Sequence, residues 1–458
     1  MNVTLRMTNA VYDALLGMAA DPLESAAVLL AQPASLGEGR MALLATDLVP
    51  VPVEAYEVRT DRSLQVTSDG YVHALKTARA HGAVALWVHS HPGDGASPAP
   101  SRHDRLVNSQ LAELFADRSG SARYGYLVVS HDNGALTFTG AITGVGAGPI
   151  TRLSAIGARW AFRAAHDAAT ATDYDLFDRN IRAFGSQIQT TISTLTVAIV
   201  GAGGTGSAVA EQLARLGVRS FVLIDPDELS ASNTTRVYGS TPAHVGWAKV
   251  DVLGDHLERI ADGVETTRIR GSIVTEEVAR TLLAADLVFG CTDDNAGRLR
   301  LSRLPYYYLS PVIDCGVQLD ADEQGSITGI FGRVTTVYPG APCLNCRDRI
   351  DLGQAAAEIR SFDEQVRLEK AGYAPALPGV EPAVVAFTTL VAATAVGEFL
   401  EHLVGYGETS APTELVLYIH DRTVRGNLGE VRPGHYCDPA IRPIGTDRDM
   451  FLGLNWIS

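Results

Sequence analysis

Cysteine is scarce in this chain of 458 residues, with five in all. So few, so widely spread, cannot form the disulfide framework of a small secreted scaffold. Basic residues are also short, 37 Lys and Arg against 52 Asp and Glu, which leaves a formal net charge of −15. A chain of that balance lacks the basic footprint that a phosphate backbone requires, and nucleic acid is not an expected partner. No long apolar run goes uninterrupted. The most apolar stretch, PAVVAFTTLVAATAVGEFLEHLVGYG, is broken by threonines and by Glu398 and Glu401, which suits a buried helix better than a membrane span. The opening residues meet Asp13 before any charged-then-apolar signal pattern develops. A cytoplasmic protein without a membrane partner is the expectation.

What is present is a soluble globular composition, 46% hydrophobic and 19% charged, at a length that suggests roughly two to three domains. Over residues 1–150, short strand-like runs (SAAVLLAQ, MALLATDLV, AVALWVHSH, YGYLVVS, ALTFTGAI) mix with helical stretches near Val11–Met18, Tyr71–Ala80 and Asp104–Phe115. This is the pattern of a compact α+β domain with irregular strand order. A Gly-rich break, GVGAGPI, closes it, and residues 151–175, rich in Ala, Arg and Asp, read as a connecting segment with a helix. Residues 176–458 form the remaining domain, where TLTVAIV, GAGGTG, SAVAEQLARLG and SFVLID give strand, turn, helix, strand. A doubly wound parallel sheet is the economical inference, so the fold class is α/β overall.

Two places carry chemistry. In WVHSHPGDGASPAPSRHD, strand alternation points His89 and His91 to one face and Ser90 to the other. Two imidazoles so spaced can share a zinc ion, and Asp104 at the first turn of the next helix is the natural third ligand. Ser101 and Asp104 equally form an S-x-x-D capping box that needs no metal. The second place is Gly201, Gly203 and Gly206, a G-x-G-x-x-G between strand and helix. There the backbone can approach a phosphate, and Asp225 closes the next strand. By itself this fits a dehydrogenase as well as an ATP enzyme.

The full string HSHP…PSRHD, together with Glu24 in LESAAVLLA, resembles the JAMM (MPN-plus) zinc metalloproteases over most of the first 140 residues. The loop from His91 to Ser101 is slightly longer than that family's. The resemblance implies zinc ligands His89, His91 and Asp104, a general base Glu24, and Ser101 steadying the oxyanion. His103 reads as a solvent-facing helix residue. Downstream, LIDPDELSASNTTR, GWAKVDVL, CTDDNAGR and PCLNC, preceded by FDRNIRAFG, resemble in order the ThiF/MoeB/HesA adenylating family over about residues 176–440.

That second resemblance implies a Rossmann-like, mixed-sheet domain that uses ATP and Mg²⁺. Asp225 would bind the ribose with Asp227 beside it, Asn233, Arg236 and Lys249 would contact the phosphates, and Asp293 would help hold magnesium. Arg179 would reach into a partner subunit's site, so a homodimer is expected. Cys343 and Cys346 resemble half of that family's structural zinc site. The tail RPGHYCDP would complete it with Cys437 and His435 as a Cys3His set. No cysteine lies between Cys346 and Cys437, the span where relatives that form a thioester carry one, so an acyl-adenylate without a thioester at that place is expected. Cys291 and Cys315 read as core residues.

The two halves share one plausible substrate, a small ubiquitin-like or sulfur-carrier protein ending in glycines. The first half would cleave after its tail and the second would adenylate the exposed carboxylate, with a separate conjugating enzyme as a further partner. A peptide-modifying adenylyltransferase with a trimming protease, a dehydrogenase with an unrelated metal domain and a non-catalytic binding module are the alternatives.

Overall fold

The computed structural model describes all residues except 38, 166–174, 323, 325, 361–382, 408–410, 442–443, 445–449 and 457–458. Two compact units divide the chain, Met1–Ala169 and Thr170–Ser458.

The first unit is built on β1 (Asn2–Thr8), β2 (Ala26–Ser35), β3 (Arg40–Pro50), β4 (Tyr56–Arg59), β5 (Leu64–Val66), β6 (Val84–Ser90), β7 (Arg123–Asp132), β8 (Ala135–Gly144), β9 (Gly148–Ile156) and β10 (Ala161–Ala164). Eight of these form one sheet in the order β1-β3-β2-β6-β7-β8-β9-β10, with β1 also paired to β9, while β4 and β5 pair separately. Alternation in β6 sorts its side chains: Val84, Leu86 and Val88 join a core with Val11 and Leu15 of the helix Asn9–Ala20. Ala85 and Trp87 join a second core with Ala74 and Ala78 of the helix Asp69–His81 and Phe115 of the helix Arg102–Ser119. The Trp87 and Phe115 rings meet edge to face at 6.4 Å. His89 has the parity of Trp87, so the sheet face that holds Arg102–Ser119 also receives the histidine.

One boundary differs from expectation. The segment 151–175 is not a helical connector throughout, because β9 and β10 carry the first sheet on to Ala164. The inward positions Leu153, Ala155 and Phe162 alternate with Arg and Ser, a strand period that the Ala and Arg content obscures. Residues 166–174 lie outside the described residues.

In the second unit β11 (Thr196–Val200), β12 (Ser220–Ile224), β13 (Glu265–Ile269), β14 (Leu287–Gly290), β15 (Val312–Ala321), β16 (Ile327–Val337), β17 (Glu414–Tyr418) and β18 (Thr423–Asn427) form a sheet ordered β13-β12-β11-β14-β15-β16-β17-β18. The first five pair in parallel and the last three add antiparallel. The central parallel strands β11, β12 and β14 are apolar runs buried on both faces, whereas the edge strand β13 is polar and partly exposed. The strand order reverses at β11, between β12 and β14, and such a switch point is where open α/β sheets bind ligands. The helix Val385–Val404 is long and apolar enough to cross a membrane by length and composition, yet Val391, Ala392, Ala395 and Phe399 are buried.

Candidate functional site

Three side-chain clusters stand out. The first lies at the end of β6. His89 Nε2 is 3.2 Å from His91 Nε2 and 3.4 Å from Asp104 Oδ1, and His91 Nε2 is 3.3 Å from Asp104 Oδ2. A tetrahedral zinc with bonds of about 2.0–2.1 Å has ligand–ligand edges of about 3.3–3.4 Å, so the two imidazoles and the two oxygens of the Asp104 carboxylate stand at the spacing of such a ligand set, and one donor atom from each residue falls within 4.8 Å of the others. The helix Arg102–Ser119 brings Asp104 there by starting at Ser101. Ser101 N–H donates to Asp104 Oδ2 at 2.7 Å and Asp104 N–H donates to Ser101 Oγ at 3.1 Å. The capping box and the metal-type cluster therefore share Asp104, and the cap aims its carboxylate. Burial alone would raise the Asp104 pKa, but hydrogen bonds from His89 and His91 hold it far below the usual carboxylate range. His91 is pushed up to about 9, chiefly by its hydrogen bond to Asp104. A site that binds a proton so firmly presents the same electron pairs to a divalent cation.

The backbone places Glu24 beside this cluster, since Ala26 pairs with His89 in the β2–β6 register and Ser90 N–H donates to Ser25 O. Arg59 Nε pins the Glu24 carbonyl at 3.0 Å. Burial raises the Glu24 carboxyl pKa, opposed by the nearby His91 and His89. Ser101 is exposed and its oxygen is engaged as the helix cap, which leaves the O–H proton as its remaining donor. His103 is exposed. Asp94 is a residue the sequence reading missed: its Oδ2 accepts from His91 Nδ1 at 2.9 Å, which directs Nε2 into the cluster. The His91–Ser101 loop is held by this contact and by Thr137 Oγ1, which donates to Gly95 O at 2.6 Å.

The second cluster surrounds the glycine turn. Gly201 adopts φ +92°, and a Cβ there would lie 2.6 Å from the Cys291 carbonyl, so the turn packs directly on the Cys291–Asp294 loop. A Cβ on Gly206 would meet Gly201 O at 1.8 Å, whereas Gly203 faces open space. Asp225 is buried and its carboxylate braces the turn, accepting from Ala202 N–H at 2.7 Å and Asp227 N–H at 2.9 Å. Its burial raises its pKa, with Lys249 opposing. Lys249 Nζ lies 3.7 Å from Asp225 and 2.7 Å from Asp227. Arg236 lays its stem against Gly204 and donates to Ser232 O, and Asn233 accepts from Ser230 N–H in a short capped turn. Asp293 is exposed in its loop, while Asp294 caps the helix Asn295–Leu301 through Gly297 N–H. Arg179 is exposed on the helix Asp178–Phe184, and the role implied for it belongs to a partner's site. Cys315 is buried and Cys291 half-buried.

In the third cluster, His435 Nδ1 lies 3.5, 3.4 and 3.2 Å from the sulfurs of Cys343, Cys346 and Cys437, and Cys346 Sγ is 3.4 Å from Cys437 Sγ. All four donors fall within 4.8 Å of one another, a closed Cys3His set of the kind that holds structural zinc. The Cys437 hydrogen bond and neighbouring donors lower the Cys343 thiol to about 5. Asn345 Nδ2 meets His435 Nε2 at 3.2 Å and so orients the imidazole. The cysteine-free span between Cys346 and the helix Val385–Val404 falls mostly on 361–382, outside the described residues.

Residues 177–428, more than half of the chain, match the ThiF family. The molybdopterin-synthase adenylyltransferase of Escherichia coli (strain K12) is 31% identical over 172 residues, covering 37% of this chain and 65% of that protein. The adenylyltransferase and sulfurtransferase MOCS3-2 of Zea mays is 26% identical over 319 residues, covering 67% of this chain and 61% of its own. The matches thus span less than two-thirds of the length of these relatives. Among solved structures, E. coli MccB with MccA-N7isoASN aligns over 58% of this chain and 75% of its own at 17% identity, with a TM-score of 0.47.

Proposed function

The chain belongs to the ThiF family, and from that premise we propose that its second unit uses ATP to adenylate the C-terminal carboxylate of a small ubiquitin-like or sulfur-carrier protein. The observation that carries this reading is the packing of the glycine turn on the Cys291–Asp294 loop. It sets the glycine turn, whose open Gly203 a phosphate can approach, against the loop that carries Asp293. The carboxylate attacks the α-phosphate, pyrophosphate leaves, and an acyl-adenylate forms. Lys249 and Arg236 offset the charge that accumulates, and Asp225 holds the turn that receives the nucleotide. Asp293 would hold Mg²⁺, which supplies further charge neutralisation at the phosphates. The Cys343, Cys346, Cys437 and His435 set would hold a zinc ion that ties the C-terminal tail to the unit.

The first unit, in the same proposal, is a zinc-dependent peptidase acting at the tail of that partner protein. Zinc held by His89, His91 and Asp104 supplies Lewis acidity, which polarises a carbonyl and acidifies water to a pKa near 7. Glu24 takes the proton of the attacking water and returns it to the leaving amine, a role suited to a carboxyl whose pKa burial has raised. The Ser101 hydroxyl donates toward the oxyanion. A homodimer in which Arg179 completes the partner's nucleotide site, and a separate conjugating enzyme that accepts the acyl group, belong to this reading. Joining the units raises the local concentration of cleaved tail where activation occurs.

ATP–pyrophosphate exchange that depends on a Gly-ending carrier protein tests the second unit. Asp293→Ala is expected to abolish exchange while carrier binding persists; exchange at the parent rate would overturn the assignment.

A further inference from the structure

Among the described residues, the sheet of the second unit carries a polar row that is buried at Asp314, Thr335 and Glu414 and exposed at Asn427. Asp314, Thr335, Glu414 and Asn427 are opposite one another across β15, β16, β17 and β18, so their side chains share one face. Gly316 and Arg333 are opposite one another in the next row of that face. Glu414 is satisfied by Arg349 at 2.9 and 2.8 Å, by Asn427 and by Thr335. Asp314 is not. Its side chain is fully buried and Oδ2 accepts from Arg333 Nη2 at 2.6 Å, while Oδ1 has no hydrogen-bond partner.

Arg298, on the helix Asn295–Leu301, presents Nε 3.6 Å from that same Oδ1, too far for a hydrogen bond, and this Nε is likewise buried without a partner. Two guanidinium groups therefore share one carboxylate. Asp294, one turn before Arg298, has its carboxylate oxygen engaged as the helix cap. Both guanidinium groups are half-buried, and the carboxylates that act on them are those of Asp314, Asp294 and Glu414.

Gly316 leaves a methyl-sized gap beside the two guanidinium groups. A Cβ built on Gly316 would lie 3.4 Å from Arg333 Nη2 and 3.6 Å from Arg298 Nη2, so both forks converge on the volume that the missing side chain leaves. β15 reaches this point beside β14, whose Gly290 pairs with Asp314 and leads into the Cys291–Asp294 loop. We infer that Gly316, Arg298 and Arg333 form a carboxylate-binding cradle next to the adenylation loop, which receives a carboxylate of the polypeptide to be activated. Two converging guanidinium groups suit a planar oxyanion. The identity of the incoming chain rests on the adenylation reading, whereas the cradle itself does not.

Gly316→Ala is the informative variant, because its Cβ would fill the cradle at ordinary contact distances and its backbone is not left-handed. With the full chain and no nucleotide, formate at millimolar concentration is expected to raise the second unit's unfolding temperature by about 2–4 °C over equal chloride. The rise should vanish in Gly316→Ala and shrink in Arg298→Gln. An equal rise in parent and Gly316→Ala, or none in the parent, would overturn the cradle. Fluorescence anisotropy then separates the sources with a Gly-Gly-ended peptide, its C-terminal amide, and that amide carrying one internal Glu. Gly316-dependent binding of the free acid alone assigns the reacting carboxylate, and Gly316-dependent binding of the Glu amide assigns an acidic side chain. Binding of neither overturns the polypeptide assignment. Formate is read without ATP, so a failed pyrophosphate exchange and a failed cradle are distinct results.

Discussion

The His89/His91/Asp104 cluster and the Cys343/Cys346/Cys437/His435 cluster are built from similar donors for opposite ends. The first offers three donor atoms, two of them nitrogen, at the open end of a strand, with a buried carboxylic acid, Glu24, alongside. The second offers four donors that meet only each other and the residues that brace them. A tetrahedral ion would be left a corner for water in the first and none in the second. The difference lies in how each cluster is anchored. One hangs on a strand end held by its β2 and β7 neighbours and on a helix held by its own capping box, whereas the other joins two segments nearly ninety positions apart, Cys343–Cys346 and His435–Cys437.

Removing each set should therefore have unequal consequences, and the largest falls on the cysteines. Cys343→Ser with Cys346→Ser is expected to lower zinc content from two ions to one per chain and to lower the unfolding temperature of the second unit by about 10 °C or more. His89→Ala with His91→Ala should remove the other ion and leave both unfolding transitions within about 2 °C of the parent. Elemental analysis and calorimetry measure both. If the cysteine variant retained both ions, or the histidine variant lost none, the contrast would be wrong.

Catalysis sharpens the same contrast. Glu24→Gln keeps the shape of the site and removes the base proposed for it, so the proposed peptide cleavage is expected to fall by about 10²–10⁴-fold with zinc content unchanged. Asp94→Asn should cost less, about 10–100-fold in zinc affinity or cleavage, because Asp94 acts only by orienting His91. Dialysis against graded chelator, followed by metal analysis, separates the two. A loss of zinc in Glu24→Gln, or full retention of affinity in Asp94→Asn, would reverse their roles.

Much of this was legible in the sequence where local periodicity carried it. Strand alternation put His89 and His91 on one face, and Ser-x-x-Asp marked the helix start that aims Asp104. The G-x-G-x-x-G pattern located the glycine turn, and the ordered motifs from Asp225 to Cys346 marked the loop it packs on. Contacts that depend on register or loop path were not legible. Asp94 meets His91 only because the Gly-rich loop folds back. β9 hides in an Ala- and Arg-rich stretch because its partner, β1, lies more than 140 positions earlier. The ion pair of Asp314 with Arg333 follows from the β15–β16 register, and the approach of Arg298 to Asp314 follows from where the helix Asn295–Leu301 packs, neither of which a short motif encodes.

The smallest effect concerns charge burial that is independent of either metal. Burial would raise the Glu414 pKa, but the two hydrogen bonds from Arg349, with help from Asn427 and Thr335, outweigh it and hold the carboxyl at about 2. A folded-state pKa below the unfolded value of 4.5 means that the unfolded chain takes up the proton first as pH falls. The stabilisation is then present in full above about pH 4.5 and is lost progressively as pH drops toward 2. Glu414→Gln keeps the shape and removes the charge, so it should flatten that acid limb and lower the stability of the second unit at pH 7. Both are read by denaturant melts at several pH values on protein in which the Cys3His cluster is loaded and on protein in which it is removed. An acid limb that disappears with the metal instead of with Glu414 would trace the acid sensitivity of the second unit to its cysteine cluster.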